Sequence, residues 1–198
     1  MSSAALPASF YARPTPEVAR RLLGHVLVSD VGGRRTAGRI VETEAYLGTH
    51  DPASHGYGAR LTRRNASLFA SPGTAYVYFT YGMHWCLNAV TERVGLPAAV
   101  LIRALEPLEG LETMRRRRGA RGRRVSDREL CSGPAKLCQA LGVTGREDGI
   151  PLTRGRLRVL KDHSRQRHVI TTTPRIGITH AADWPLRFVI EDSRWASR

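Results

Sequence analysis

Two neighbouring segments joined by a short turn constrain the fold of this chain most strongly. Ala75–Thr80 and Trp85–Val90 are rich in the aromatic and β-branched residues that favour strands, and Tyr81-Gly82-Met83-His84 lies between them. The pattern predicts a protruding β-hairpin with Tyr81 at its tip. Other strands are predicted at His25–Ser29, Glu42–Tyr46, Ala98–Ala104, Leu157–Leu160 and Leu186–Ile190.

Helices are predicted around this sheet. Thr15-Pro16-Glu17 combines a capping hydroxyl, a proline and an acid, which is typical of a helix N-terminus. Leu108–Arg118 is also predicted to be helical, and Ser132-Gly133-Pro134 is predicted to start a second short helix that runs through Leu141 and is ended by Gly142. Because strands and helices mingle without regular βαβ alternation, we expect an α+β fold. It would be a single domain over residues 1–198, with a mostly antiparallel curved sheet, peripheral helices and the protruding hairpin; residues 1–9 and 115–124 are expected to be mobile.

The charge of the chain indicates its partner. Among 198 residues, Lys and Arg number 31 against 17 Asp and Glu, a formal net charge of +14. Only Lys136 and Lys161 are lysines, so 31 − 2 = 29 of these residues are arginines. The planar guanidinium binds phosphate oxygens in pairs, so the composition favours a nucleic-acid backbone. A genome that prefers arginine codons would explain arginine over lysine, but not the net charge.

The cysteines and the hydropathy exclude other classes. Cys86, Cys131 and Cys138 show neither CxxC nor Cys/His ligand spacing, so neither zinc nor a disulfide framework is predicted, and no cofactor is expected. No stretch reaches the roughly 18 apolar residues of a membrane span. The first residues lack the pattern of a secretory signal. We therefore expect a cytoplasmic, nucleoid-associated protein of bacterial type.

A carboxylate in the Glu42–Tyr46 strand is the first candidate for chemistry. Alternate strand residues share a face, so Glu42, Glu44 and Tyr46 are predicted to point the same way. An acid in the binding face of so basic a protein would repel a polyanion. Glu44 is therefore a candidate general base, and the alternative is an ordinary ion pair with an arginine.

Aromatic residues provide the second set of candidates. Tyr46, His55 and Tyr78 could sandwich a planar ring, or they could simply fill the sheet and its adjoining loop. Tyr81 at the hairpin tip could wedge between base pairs, or fold back over the sheet edge. Both alternatives remain open from the spacing alone.

Basic and hydroxyl residues are candidates for phosphate binding. Arg60, Thr62 and Arg64 lie in a long loop, and Lys136 lies near a predicted helix start. For any single residue, the alternative is a solvated surface charge. With so few amines available for a Schiff base, water is the expected nucleophile if this chain removes bases.

Several blocks in order carry a family resemblance. The chain resembles the alkyladenine (3-methyladenine) DNA glycosylase family from about Phe10 to Trp195. The densest matches are Gly-Arg-Ile-Val-Glu-Thr-Glu-Ala-Tyr-Leu-Gly, Pro-Gly-Thr-Ala-Tyr-Val-Tyr, Tyr-Gly-Met, Arg-Ala-Leu-Glu-Pro-Leu-Glu-Gly and Cys-Ser-Gly-Pro-Ala-Lys-Leu-Cys-Gln-Ala-Leu. The resemblance implies a single-domain α+β protein that flips a damaged nucleotide out of duplex DNA.

The resemblance also implies roles for individual residues. Glu44 falls on the general base, Tyr46 on one wall of the base pocket, and His55 with Tyr78 on the other. Tyr81 falls on the minor-groove wedge. The remaining matches are Asn88, which crowds the 2-amino group of guanine, Arg103, which supports the catalytic water, and the DNA contacts Arg60, Thr62, Arg64, Met83 and Lys136.

The resemblance thus implies a monofunctional DNA N-glycosylase that needs no metal or cofactor. It would act as a monomer on double-stranded DNA with a damaged purine: 3-methyladenine, 7-methylguanine, or the neutral hypoxanthine and etheno-adenine. A non-enzymatic basic nucleic-acid-binding module is the alternative, because it would explain the charge without needing Glu44. A glycosidase acting on small nucleosides is a third class.

Overall fold

Antiparallel strand pairing dominates the structure, a computed structural model that describes residues 4–119, 125–162 and 168–197. Within these ranges there are five α-helices and eight strands. The helices are α1 (Ala8–Tyr11), α2 (Thr15–Leu22), α3 (Leu111–Arg118), α4 (Asp127–Leu130) and α5 (Pro134–Leu141). The strands are β1 (Val26–Ser29), β2 (Thr36–Tyr46), β3 (Ala75–Thr80), β4 (His84–Val90), β5 (Ala99–Glu109), β6 (Leu157–Leu160), β7 (Ile170–Thr173) and β8 (Arg187–Ile190).

One sheet contains all of these strands. Its order is β3-β4-β5-β2-β1-β6, and β8 joins it by pairing with both β2 and β7. Every pairing of the described strands is antiparallel. This confirms the α+β class with a mostly antiparallel sheet, and the β3–β4 hairpin carries its tip beyond the sheet edge.

The central strand β2 changes partners along its length. It pairs with β5 on one side, and with β1 and then β8 on the other. The β2–β5 register shifts on both sides of Glu42. Such an irregularity bends a strand and re-aims its side chains. The bend lies at the start of the segment that carries the candidate carboxylates.

The hydrophobic core holds the sheet against two helices. α2 and α5 pack on the sheet, and Leu22, Ile40, Ile102 and Leu141 are fully buried there. Removing each such side chain from water stabilises the fold by roughly 1.5–3 kcal/mol. The Thr43 hydroxyl also donates to the carbonyl of Ala19 at 2.9 Å, so α2 is fixed directly to β2. The helices thus cover one face of the sheet and hold its strands in place, which fixes the side chains on the opposite face.

The third helix differs from its prediction at its start. It begins at Leu111, not Leu108, because β5 continues through Glu109, and it ends at Arg118 as predicted. Of the segment 115–124 predicted to be mobile, Arg115–Arg118 form the last turn of α3. Arginines are good helix formers and are favoured at the negative end of the helix dipole. Arg117 also donates to the carbonyl of Val31 at 2.7 Å.

The remaining predicted mobile residues divide between described and undescribed segments. Leu6 is buried, and its N–H donates to the carbonyl of Val159 at 2.9 Å beside β6. Residues 1–3 and 120–124 lie outside the described residues, and their mobility stays a prediction. No helix in the described part of the chain is long and apolar enough to cross a membrane.

Candidate active site

A cavity of about 330 Å³ opens where β2, β3, β4 and β5 meet the start of α5. Six of the residues singled out in the sequence line it together: Tyr46, His55, Tyr78, Tyr81, Asn88 and Arg103. They come from four strands, a loop and the hairpin tip. The fold thus brings together side chains spread over nearly 60 positions of sequence.

Glu44 lies behind the wall of this cavity and is fully buried. Its Oε2 accepts a hydrogen bond from the Tyr46 hydroxyl at 2.9 Å, and its Oε1 accepts one from the N–H of Ile176 at 2.8 Å. Arg103 Nη1 lies 3.2 Å from Oε1. Tyr46, Ile176 and Arg103 all line the cavity. The carboxylate is therefore held in one orientation by the groups that separate it from the open space.

A second buried carboxylate shares Arg103 with Glu44. Glu42 Oε1 accepts from Arg103 Nε at 3.0 Å and from Arg187 Nε at 2.7 Å. Burial lowers the pKa of Arg103, but Glu44 and Glu42 together outweigh this and raise it above its ordinary value. Arg103 is therefore a fixed cation between two anions. The expected ion pair of Glu44 with an arginine is present, and it coexists with the placement of Glu44 at the cavity.

Tyr46 is held at its ring by Arg175 and at its hydroxyl by Glu44. The Arg175 guanidinium lies 4.6 Å from the centroid of its ring, a cation–π contact. Arg175 is itself paired with Asp51, with Nη2 2.9 Å from Oδ1, and both side chains are fully buried. Burial, followed by the charge of Glu44, raises the pKa of Tyr46. Its hydroxyl therefore stays protonated and donates to Glu44.

His55 and two tyrosines form another wall of the cavity. The His55 and Tyr78 rings meet edge to face, with centroids 4.5 Å apart. His55 Nδ1 lies 2.8 Å from the Tyr76 hydroxyl. Burial by surrounding atoms and the charge of Arg64 lower the pKa of His55, so its ring is neutral near pH 7. In the tautomer in which the Tyr76 hydroxyl donates to Nδ1, the His55 proton lies on Nε2, and this N–H is the donor left for a ligand.

The floor of the cavity is narrowed by Asn88. This residue lies on β4 opposite Tyr76, is almost completely buried, and lines the cavity. Its Nδ2 donates to the carbonyl of Tyr76 at 3.1 Å, which fixes its amide plane. A ligand with an additional substituent at this point would clash with the Asn88 side chain, because this hydrogen bond fixes its orientation.

The hairpin tip projects into solvent. Tyr81 is 83% exposed and Met83 is 68% exposed. Tyr81 and Gly82 both have positive φ, 50° and 66°, as the turns that match strand twist require. The structure therefore shows Tyr81 extended outwards and not folded back over the sheet. Its ring stands at the mouth of the cavity.

The candidate phosphate-binding residues lie outside the cavity. Arg60, Thr62 and Arg64 belong to an exposed loop, and Arg64 Nη2 donates to the carbonyl of Phe79 at 2.7 Å, which ties this loop to the hairpin. Lys136 lies in the first turn of α5, with Nζ 3.4 Å from Ser132 Oγ. None of these four residues lines the cavity.

Sequence reasoning missed several residues that hold this site. They are Glu42 as a partner of Arg103, Asp51 and Arg175 behind Tyr46, Ile176 beside Glu44, Tyr76 beside His55, and Ser197 beside Glu42. The run Pro174-Arg175-Ile176-Gly177-Ile178 between two predicted strands was the available signal. Among the described residues, no cluster of His, Cys, Asp or Glu has the arrangement of a metal site.

A family model accounts for nearly the whole chain. The model of methylpurine-DNA glycosylase matches residues 9–194, which include both β2 and the hairpin. The chain belongs to the methylpurine-DNA glycosylase family. The resemblance seen in the sequence is therefore confirmed at the level of the family.

Individual relatives agree with this assignment. The chain is 46% identical to the DNA-3-methyladenine glycosylase of Mus musculus over 98% of its own length and 62% of the mouse protein. It is 44% identical to the DNA-3-methyladenine glycosylase of Homo sapiens, covering 95% of this chain and 66% of the human protein. The chain thus spans less than two thirds of each mammalian protein. A chain of Carboxydothermus hydrogenoformans, also named for 3-methyladenine DNA glycosylase activity, is 45% identical over 98% of both chains.

Proposed function

We propose that this protein is a monofunctional DNA N-glycosylase that removes alkylated or deaminated purines from double-stranded DNA and so starts base excision repair. The observation that carries the proposal is Glu44, a buried carboxylate oriented by Tyr46, Ile176 and Arg103 at the wall of an aromatic cavity. A basic binding module would not need this arrangement.

The cavity suits a flipped purine. A base inside a duplex cannot be reached at its sugar, so the nucleotide must leave the stack at a cost of a few kcal/mol. Stacking on Tyr46, His55 and Tyr78 offsets roughly 1–3 kcal/mol per contact. The electron-rich walls favour cationic bases such as 3-methyladenine and 7-methylguanine. The Nε2–H of His55 offers a hydrogen bond to neutral lesions such as hypoxanthine and etheno-adenine.

Glu44 supplies the chemistry in this proposal. Its carboxylate orients a water molecule and accepts a proton from it as the water oxygen bonds to the anomeric carbon. The N-glycosidic bond breaks, and its electron pair leaves with the base. The negative charge also stabilises the oxocarbenium-like sugar, as in inverting glycoside hydrolysis. Neither Lys136 nor Lys161 lines the cavity in the described part of the chain, which supports water as the nucleophile.

The surface around the cavity positions the duplex. Tyr81 enters the minor groove and fills the space left by the flipped nucleotide, with Met83 beside it. Arg60, Thr62, Arg64 and Lys136 contact backbone phosphates. Asn88 disfavours normal guanine because the 2-amino group would meet its fixed amide; cationic 7-methylguanine keeps that group but is a much better leaving group. A monomer acting in the cytoplasm at the nucleoid completes the proposal, which the net charge of +14 supports.

The decisive experiment replaces Glu44 by glutamine. The variant keeps the volume of the side chain but removes the charge and the proton acceptor, so release of 3-methyladenine from alkylated duplex DNA should fall by at least roughly 100-fold. Binding to the same duplex, measured by anisotropy, should change little. Full activity in the variant would refute the mechanism.

The same assay separates the alternative functions. Duplexes that each carry one lesion would give the substrate range. A parent chain that releases no base and binds damaged and undamaged duplexes equally would instead identify a non-enzymatic DNA-binding module. An enzyme for small nucleosides would keep its activity in high salt, whereas activity on a duplex should fall steeply.

A further inference from the structure

A buried carboxylate beside the candidate catalytic centre takes no part in the proposed chemistry. Glu42 is fully buried and accepts four hydrogen bonds. The donors are Arg103 Nε at 3.0 Å, Arg187 Nε at 2.7 Å, the Ser197 N–H at 2.6 Å and the Ser197 hydroxyl at 2.8 Å. Three of these donors reach Oε1 and the Ser197 N–H reaches Oε2, so both oxygens of the fully buried Glu42 are held by groups of the protein.

Glu44 differs from Glu42 in this respect. Tyr46 and Ile176 each donate one hydrogen bond to it, and Arg103 approaches one oxygen. Acceptor capacity therefore remains for a water molecule. The two neighbouring carboxylates of β2 thus have different tasks, although both lie against the same arginine.

The orientation of Arg103 indicates the role of Glu42. Its Nε faces Glu42, its Nη1 lies 3.2 Å from Glu44 Oε1, and its Nη2 donates to the Ser197 hydroxyl at 3.3 Å. Only the Nη1 group of the guanidinium therefore lies close to Glu44. An arginine without its other partners turns two N–H groups towards a carboxylate and binds it in a bidentate manner. Such a pair would occupy the acceptor sites that Glu44 needs.

We propose that Glu42 and Ser197 are positioning residues. They hold Arg103 so that only its Nη1 group contacts Glu44, and Glu44 stays available to bind water. Ser197 links the other two groups, because its hydroxyl accepts from Arg103 and donates to Glu42. The segment after β8 thereby becomes part of the active site. This proposal rests on the glycosylase function proposed above.

The test compares Glu42→Gln with the parent chain on a duplex carrying 7-methylguanine. A misplacement near 1 Å in a catalytic arrangement can lower a rate by roughly 100-fold, and we expect a loss of this order in the single-turnover rate constant. The dissociation constant for the duplex should change little. The loss should therefore fall on the rate constant and spare the dissociation constant, a split that a general loss of structure would not produce.

Two further variants make the test specific. Glu106→Gln removes a carboxylate on β5 whose Oε2 accepts from Arg39 at 2.8 Å and which does not line the cavity, so it should keep the parental rate constant and dissociation constant. Ser197→Ala removes only the linking hydroxyl, so it should fold and show a smaller loss of the rate constant with the dissociation constant again little changed.

The outcomes distinguish this inference from the proposed function. An active parent with a Glu42→Gln variant that matches Glu106→Gln would overturn the inference alone. If Glu42→Gln did not fold, an unchanged rate constant in Ser197→Ala would overturn it. A parent chain without base release would overturn the proposed function, and the inference with it.

Discussion

The buried ion pair behind Tyr46 allows a stability prediction that depends only on the structure. Arg175 and Asp51 are both fully buried. Asp51 accepts from Arg175 Nη2 at 2.9 Å and from the N–H groups of Leu47 and Ala53, each at 3.0 Å. Asparagine at position 51 can keep part of this backbone pattern but leaves the guanidinium without a counter-charge.

The magnitude follows from that uncompensated charge. Breaking a buried pair by removing one partner costs about 3–5 kcal/mol, so Asp51→Asn should lower the free energy of unfolding by this amount. That is a large fraction of the total of roughly 5–15 kcal/mol for a folded domain. Urea unfolding followed by tryptophan fluorescence would measure it. Glu17→Gln is the control, because the exposed Glu17–Arg21 pair should contribute less than about 1 kcal/mol.

A second substitution tests the reasoning itself. If the cost comes from the unpaired guanidinium, Arg175→Met in the Asp51→Asn background should recover stability, since no buried charge remains. A single Asp51→Asn variant as stable as Glu17→Gln would refute the argument. So would a double variant less stable than the single one.

The pH dependence of stability provides an independent check on the same pair. Burial alone raises the pKa of Asp51, but hydrogen bonds from Arg175 and the backbone outweigh it and lower the pKa overall. The unfolded pKa is about 3.9, so this contribution is complete above that value and is lost as the pH falls through the lower folded pKa. Asp51→Asn should therefore lose less stability on acidification than the parent does.

Two further predictions concern the cavity. Tyr81→Ala should weaken accumulation of the flipped state by about 1–3 kcal/mol, and an etheno-adenine probe whose fluorescence did not change would contradict the wedge role. The pKa of His55 is lowered from its ordinary value of about 6.5, so the ring is neutral at pH 7 and becomes charged only when the pH falls below that lowered pKa. The added positive charge should then weaken binding of a duplex with cationic 7-methylguanine. His55→Asn should remove that part of the pH dependence in anisotropy titrations, and an unaltered dependence would exclude His55 as its source.

Local patterns predicted the parts of the structure that local geometry determines. The period of two along β2 placed Glu44 and Tyr46 on one face, and the structure joins them by a hydrogen bond. The aromatic segments around Tyr81-Gly82 predicted the hairpin with Tyr81 at its tip, and left open whether that ring projects outwards or folds back. Neither result needed information about distant residues.

Other features depend on pairing across the chain and left little local signal. The fifth strand continues beyond its predicted end at Ala104, and Pro107 lies opposite Gly38 at a register irregularity, where a missing N–H is tolerated. Arg175 and Asp51 are 124 positions apart, and Ser197 is 155 positions from Glu42. In a chain with 29 arginines, no spacing rule identifies which one pairs with a given carboxylate.

The left-handed backbone of Tyr81 has a consequence for the search along DNA. A non-glycine residue with φ of 50° costs roughly 1–2 kcal/mol, and the free protein sustains that strain in its hairpin. The tip is thus already in place before any duplex arrives, and no loop has to become ordered on encounter. Under the proposed function, the time spent at each base pair is then set by the opening of the DNA and not by the protein. Damaged pairs, which open more readily, would be selected by that kinetic difference before any base enters the cavity.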